Sequence, residues 1–339
     1  MKRSCSIILA TLLLAYSSSA MSVKLILDTD MGNDIDDALA LAMIHALQNR
    51  GEVELLAVTI TKDHEETAPY VDAINTFYGR GDIPIGIVKG GVTPEKSRFT
   101  RVTQEKLSKA YIYPHDLRLG DSVPDATDVL RAALAAQPDS SVVIAQVGFS
   151  TNLRRLLESK PDAHSSLAGG DLVRKKIKLI SIMAGTFAPI RGKTHLEYNV
   201  VKDISAAQHL AKHWPTPIIW SGFEIGLAVG YPAASIDNDF RYRKRHPIPE
   251  SYQAYIPTPH ERPTWDLTSV LYAVRTERGY FAVSEPGIVT VHDDGETTFE
   301  SARQGRDRFL KLDTENIRRL QEVFAALASE PPSSLPLSQ

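Results

Sequence analysis

Five aspartates, Asp28, Asp30, Asp34, Asp36 and Asp37, fall within ten residues near the start of the chain. Unshielded carboxylates at that density repel one another, and a bound hard cation is the simplest way to relieve the repulsion. Asp36 and Asp37 stand where a helix would begin. Capping and the helix dipole account for one or two of the five, but not for Asp30 and Asp34 beside them. The cluster contains no histidine or cysteine, so calcium or magnesium is expected rather than zinc. An EF-hand is excluded, because a loop starting at Asp28 would put Asn33 in place of its glycine and Leu39 in place of its bidentate glutamate.

Such acids need rigid elements to hold them. Apolar runs that read as buried strands recur at 23–28, 53–60, 83–88, 142–147, 177–183 and 217–220. They alternate with segments of three- and four-residue apolar spacing at 36–48, 68–78, 127–136, 152–158, 204–212 and 314–328. The alternation predicts an α/β fold, a mostly parallel central sheet flanked by helices with a Rossmann-like core. Sites in such folds lie outside the carboxyl ends of the strands, where the aspartates sit. Residues 238–263 combine Arg241, Arg243, Lys244 and Arg245 with Pro247, Pro249, Pro257, Pro259 and Pro263, and read as a long irregular loop over the sheet. Gly287 to Thr298, centred on Asp294 and Gly295, reads as a hairpin. No repeat or linker interrupts residues 21–328, so one domain is expected, followed by a disordered tail at 329–339 rich in proline and serine.

With 339 residues, 43% of them hydrophobic and 23% charged, the chain can bury a large core. Its first twenty residues have Lys2 and Arg3, an apolar run from Ile7 to Ala15 and the small-residue end Ser18, Ser19, Ala20, the pattern of a secretory signal peptide. Export to the periplasm or medium is therefore expected, or a cytoplasmic location if Met21 is the true start. Without that segment the formal charge is 36 − 41 = −5, which argues against a nucleic-acid partner. No later run reaches the roughly 20 apolar residues of a membrane span, so no stable membrane anchor is expected. Cys5, the one cysteine, lies inside the signal.

Asp28-Thr29-Asp30-Met31-Gly32-Asn33-Asp34-Ile35-Asp36-Asp37-Ala38 resembles the opening signature of the inosine–uridine-preferring nucleoside hydrolase family, Asp-x-Asp-Pro-Gly-x-Asp-Asp-Ala, with two residues inserted before the final pair. Further matches follow in the family's order: Gly148 to Leu153 after a strand, Met183 to Phe187 after the next, Glu197-Tyr198-Asn199, and Trp265-Asp266. The resemblance implies calcium-dependent hydrolysis of the N-glycosidic bond of ribonucleosides to free base and ribose. It implies calcium held by Asp30, Asp37, the main-chain carbonyl of Thr151 and Asp266, with Asp30 also the catalytic base. Asp36, Glu197 and Asn199 would grip the ribose, and Met183 would line its pocket. Glu197 and Asn199 alternate in sequence and are expected on an extended stretch, facing the same way. Some family members have a histidine where this chain has Trp265, which cannot protonate a leaving base but can stack on one, so purine nucleosides are expected to be preferred. A homodimer or homotetramer is implied as well.

The chain departs from the family where Thr59 to His64 and Gly192 to Leu196 replace ribose-binding asparagine motifs. Lys62, Asp63, Lys193 or His195 could compensate, and His260 is a conceivable leaving-group acid. The departures leave a non-catalytic nucleoside- or ribose-binding protein as an alternative. A haloacid-dehalogenase-like phosphatase also begins with strand-Asp-x-Asp, but has threonine or valine where Gly32 stands.

Overall fold

The computed structural model describes residues 22–333, so the expected signal segment at 1–20 lies outside the described residues. The chain alternates from its first apolar run through β1 (Val23–Thr29), α1 (Asp36–Asn49), β2 (Val53–Ile60), α2 (Thr67–Phe77) and β3 (Ile85–Ile87). A small separate hairpin, β4 (Lys106–Leu107) and β5 (Ala110–Tyr111), precedes α3 (Ala126–Ala135), β6 (Val142–Gln146), α4 (Thr151–Glu158), α5 (Gly169–Lys176) and β7 (Ile177–Met183). Next come α6 (Tyr198–Lys202), α7 (Ile204–His213), β8 (Ile218–Ser221), α8 (Phe223–Leu227), α9 (Ala233–Asn238), α10 (Pro247–Tyr255) and α11 (Trp265–Val274). The short β9 (Ala282–Val283), the strands β10 (Gly287–Val291), β11 (Thr297–Ser301) and β12 (Asp307–Lys311), and α12 (Thr314–Ala328) complete the fold.

The main sheet runs in the order β11-β10-β12-β8-β7-β6-β1-β2-β3. From β1 the chain steps outward to β2 and β3, then returns to lay β6 parallel on the other side of β1. That reversal of direction opens a crevice at the carboxyl ends of β1 and β6, the usual place for a ligand in a wound sheet. Both strands are buried on two faces: Leu25, Leu27, Val143 and Ala145 enter one apolar core, and Ile26, Val142 and Ile144 the other. The expected hairpin is present as antiparallel β10 and β11.

Helix α1 is buried along Asp36 to Leu47 and packs against α11 and α12. An apolar surround on every side fixes it in place, and with it the aspartates at its start. Two expectations need correction. Residues 238–263 are not irregular throughout, because α10 forms within them: Pro247 occupies the first helical position, where its missing N–H costs nothing, and His246 Nδ1 accepts the Ile248 N–H at 3.2 Å as a cap. Of the expected disordered tail, residues 329–333 are described and Glu330 pairs with Arg50, while 334–339 lie outside the described residues.

Candidate active site

β1 delivers Asp28, Thr29 and Asp30 to the crevice, and Gly32, at φ +104°, turns the chain toward α1. The loop after β6 presses closely on this turn. A Cβ on Gly148 would lie 2.5 Å from the Asp30 nitrogen, so only glycine allows the approach. Beneath the turn, Asp28 is wholly buried and accepts from the Thr59 hydroxyl at 2.6 Å and the Asn152 amide at 2.8 Å, both on Oδ1. Burial pushes its carboxyl up to about 7.

Three carboxylates converge above it. One oxygen from each of Asp36, Asp37 and Asp266 lies within 4.8 Å of the others, and all three side chains are buried. Asp36 and Asp37 open α1, and Asp266 sits in the first turn of α11. The Asp266 N–H donates to Asp36 Oδ2 at 3.1 Å, the Thr29 hydroxyl donates to Asp37 Oδ1, and Asp37 Oδ2 is buried without a partner. Burial first, and repulsion by the neighbouring acids second, hold all three well above the usual carboxylate range. Crowded, desolvated carboxylates with an orphaned oxygen are a donor set that fits a hard divalent cation. Burial raises Asp30 to about 6, and its Oδ2 accepts from Asn33 Nδ2 at 2.8 Å.

Asp34, the acid brought by the two-residue insertion, faces Arg262, which donates to it through Nε at 2.8 Å and through a terminal nitrogen. It is a paired residue at the edge of the cluster, distinct from Asp36 inside it.

These acids form one wall of a cavity of about 380 Å³. Asp30, Asp36, Asp37, Met183, Glu197, Asn199, Trp265 and Asp266 all line it. Thr151 does not; at the start of α4 its hydroxyl donates to Asp203 Oδ2 at 2.5 Å, while its neighbour Asn152 reaches Asp28. Glu197 and Asn199 meet for a reason other than strand alternation. Glu197 caps α6, taking the Asn199 and Val200 N–H groups at 2.7 and 3.1 Å and the Gly185 N–H at 3.2 Å, and burial pushes it up to about 7. Asn199 Nδ2 donates to the carbonyls of Val147 at 2.9 Å and Met183 at 3.1 Å, tying together the chain ends beyond β6 and β7.

Aromatic side chains line the same cavity. Trp265 donates its Nε1–H to the Phe223 carbonyl at 2.9 Å and stacks on that ring with centroids 5.1 Å apart. The Arg262 guanidinium lies 5.0 Å from the Trp265 ring centre and 5.2 Å from that of Tyr255. Phe223, Tyr255, Arg262, Asn33 and Tyr198 also line the cavity and were not singled out from sequence. Phe223 stands just past β8, so the strand-end rule alone pointed to it. None of Lys62, Asp63, Lys193, His195 and His260 lines the cavity. Lys62 is buried and bonded to Asn33, Asp63 accepts the Gly90 N–H at 2.6 Å, and the His195 ring lies tilted against that of Phe223.

Residues 25–323 match the family model of the inosine-uridine preferring nucleoside hydrolases. The chain is 28% identical over 237 residues to the pyrimidine-specific ribonucleoside hydrolase RihA of Shewanella sp. (strain MR-7), covering 68% of this chain and 66%, just under two thirds, of that one. Among solved structures, a plant nucleoside hydrolase, the PpNRh1 enzyme, superposes with a TM-score of 0.69 at 18% identity, covering 91% of this chain and 99% of the other. A purine-preferring ribonucleoside hydrolase from Gardnerella vaginalis gives 0.67 at 17% identity, covering 90% and 99%. At such low identity the structural likeness speaks for the fold.

Proposed function

Because the chain belongs to the inosine-uridine preferring nucleoside hydrolase family, we propose that it hydrolyses the N-glycosidic bond of ribonucleosides to free base and ribose with the aid of calcium. The observation that carries this reading is the convergence of Asp36, Asp37 and Asp266 within 4.8 Å, in one cavity with Asp30, Glu197 and Asn199. Asp37 and Asp266 of that triad, with Asp30 beside them and the Thr151 main-chain carbonyl that the family signature adds from outside the cavity lining, would hold the cation, an all-oxygen set suited to calcium. When bound, calcium would acidify a water and hold ribose hydroxyls.

Asp30 accepts the proton of the attacking water as oxygen bonds to the anomeric carbon. The Asn33 amide steadies the carboxylate that does this. The carbon–nitrogen bond breaks with its electron pair leaving on the base, and the surrounding carboxylates favour the positive charge that develops on the sugar. Asp36, whose Oδ2 already takes the Asp266 N–H, is assigned with Glu197 and Asn199 to the ribose, and Met183 to the floor beneath it. Trp265 has no proton to give a leaving base. With Phe223 and Tyr255 it offers a broad stacking wall that favours a two-ring purine.

The family match across residues 25–323 replaces the phosphatase alternative. Export through residues 1–20 and assembly as a homodimer or homotetramer complete the proposal. Incubation with a panel of purine and pyrimidine ribonucleosides and phosphate esters tests it. Release of base and ribose, fastest from purines, is expected. Binding without turnover would instead favour a nucleoside-binding protein.

A further inference from the structure

Resting on the proposed calcium site, we propose that Lys62 acts through Asn33 as a positioning residue for the Asp30 carboxylate. Lys62 follows β2 and is only 1% exposed. Its ammonium donates to Asn33 Oδ1 at 2.8 Å and to the Thr93 carbonyl at 2.8 Å. The other end of the same amide, Asn33 Nδ2, donates to Asp30 Oδ2 at 2.8 Å and to Thr93 Oγ1 at 3.0 Å. A side-chain amide can present either end to a neighbour, and its orientation is set by its partners. An ammonium has only protons to give, so it bonds the amide oxygen and forces the N–H groups toward Asp30. With no donor at position 62, the flipped amide would put oxygen against carboxylate.

Other features fit this reading. The Lys62 stem packs under the turn, where a Cβ on Gly32 would meet Lys62 Cδ at 3.3 Å and Thr100 Cγ2 at 3.3 Å. Lys62 does not line the cavity, whereas Asn33 does. The lysine's charge is therefore spent within the protein, beside the acid cluster. Residues supporting a metal-bound carboxylate are commonly worth about 10–100-fold in metal affinity or activity.

The test compares full-length wild type, Lys62→Met, Asn33→Ala and the double variant. Calcium affinity is read by titration calorimetry, kcat and KM by inosine hydrolysis, and folding by thermal melting. Each single variant is expected to lose about tenfold or more in calcium affinity and in kcat, with KM little changed. The double variant is expected to be no worse than the poorer single one, because both changes break one chain of contacts. Affinity and kcat near wild type in Lys62→Met, or losses that multiply in the double variant, overturn the inference. Should Lys62→Met fail to fold, unchanged calcium affinity in Asn33→Ala overturns it equally. A wild-type chain that binds calcium but releases no base sinks the hydrolase reading and leaves the affinity comparison standing. One that does neither sinks both.

Discussion

Arg262 holds Asp34 through two guanidinium nitrogens across 228 positions of sequence, clamping the inserted turn before α1 to the segment that leads into α11. The Arg262 backbone is itself pinned, its N–H by the Tyr252 hydroxyl at 2.9 Å and its carbonyl by the Tyr231 N–H at 2.7 Å. Side chains on both sides of the clamp line the same cavity. Asp34 thus shapes the rim, while Asp36 belongs to the acid triad.

Asp34→Ala and Arg262→Met are accordingly expected to raise KM with much of kcat retained, whereas Asp36→Ala abolishes turnover. A double-mutant cycle on the pair, read by urea unfolding, should give a coupling of about 1–2 kcal/mol. A dead Asp34→Ala with an active Asp36→Ala would reverse the two assignments.

Trp265→Ala would remove the ring proposed to stack on the base. Loss of an aromatic pair worth about 0.5–1.5 kcal/mol corresponds to roughly a 2–12-fold rise in KM for inosine, with a smaller change for uridine. Steady-state kinetics on both nucleosides decide this, and equal effects would remove the argument for a purine preference.

Gly148→Ala would push a methyl group to 2.5 Å from the Asp30 nitrogen and 2.7 Å from the Thr29 carbonyl carbon, both backbone atoms that have no rotamer to yield. Overpacking of this kind costs about 1–3 kcal/mol. A lower melting temperature is expected together with a fall in kcat, since the displaced atom belongs to the proposed base. Wild-type melting and turnover in this variant would mean that the β6 loop does not hold Asp30.

Calcium and protons should compete at the site. Burial lifts Asp30 to about 6, and burial with repulsion from neighbouring acids holds Asp37 and Asp266 well above the same ordinary value of 3.8. Groups shifted upward bind protons more tightly when folded, so their contribution to stability is fully present below the ordinary value and is lost as pH rises through the folded one. In chelator these carboxyls weaken the fold near neutral pH, and calcium relieves them. The rise in melting temperature on adding calcium is therefore expected to be larger at about pH 7.5 than at about pH 5.5. His45 and His246 are buried neutral, lowered to about 3 by desolvation, and lose stability on acidification. They lie outside the acid triad, so their effect cancels in the difference between the two melts. A calcium shift that is flat with pH would argue against a site made of these carboxyls.

The β1–α1 unit, the alternation of the parallel strands with their flanking helices, and most of the acids were legible in the sequence because they depend on local periodicity and on residues close together in the chain. Asp34 could not be placed without its partner Arg262, far away in a segment whose prolines concealed α10. Glu197 and Asn199 were found by motif, but their backbone was misread, since one capping residue looks the same as a strand position until the Asn199 and Val200 N–H groups are located. The aromatic residues were missed for a similar reason: Phe223 and Tyr255 carry no spacing signal, and only the topology brings them to one cavity, while Tyr198 stood unremarked between the two residues of its motif. Lys62 was read as a possible ligand for substrate, whereas burial directs its ammonium to Asn33.

Asp30→Asn bears on the proposed base, and a loss of about 10²–10⁴ in kcat with melting preserved is expected for removal of a general base. The more direct measurement strips the protein of metal with a chelator, confirms the removal by elemental analysis, and follows release of hypoxanthine from inosine before and after calcium is returned. The carboxylate cluster as a calcium-dependent hydrolytic centre predicts that release stops on stripping and recovers in full with calcium. Undiminished release from metal-free protein, or no release with calcium saturating, would contradict it.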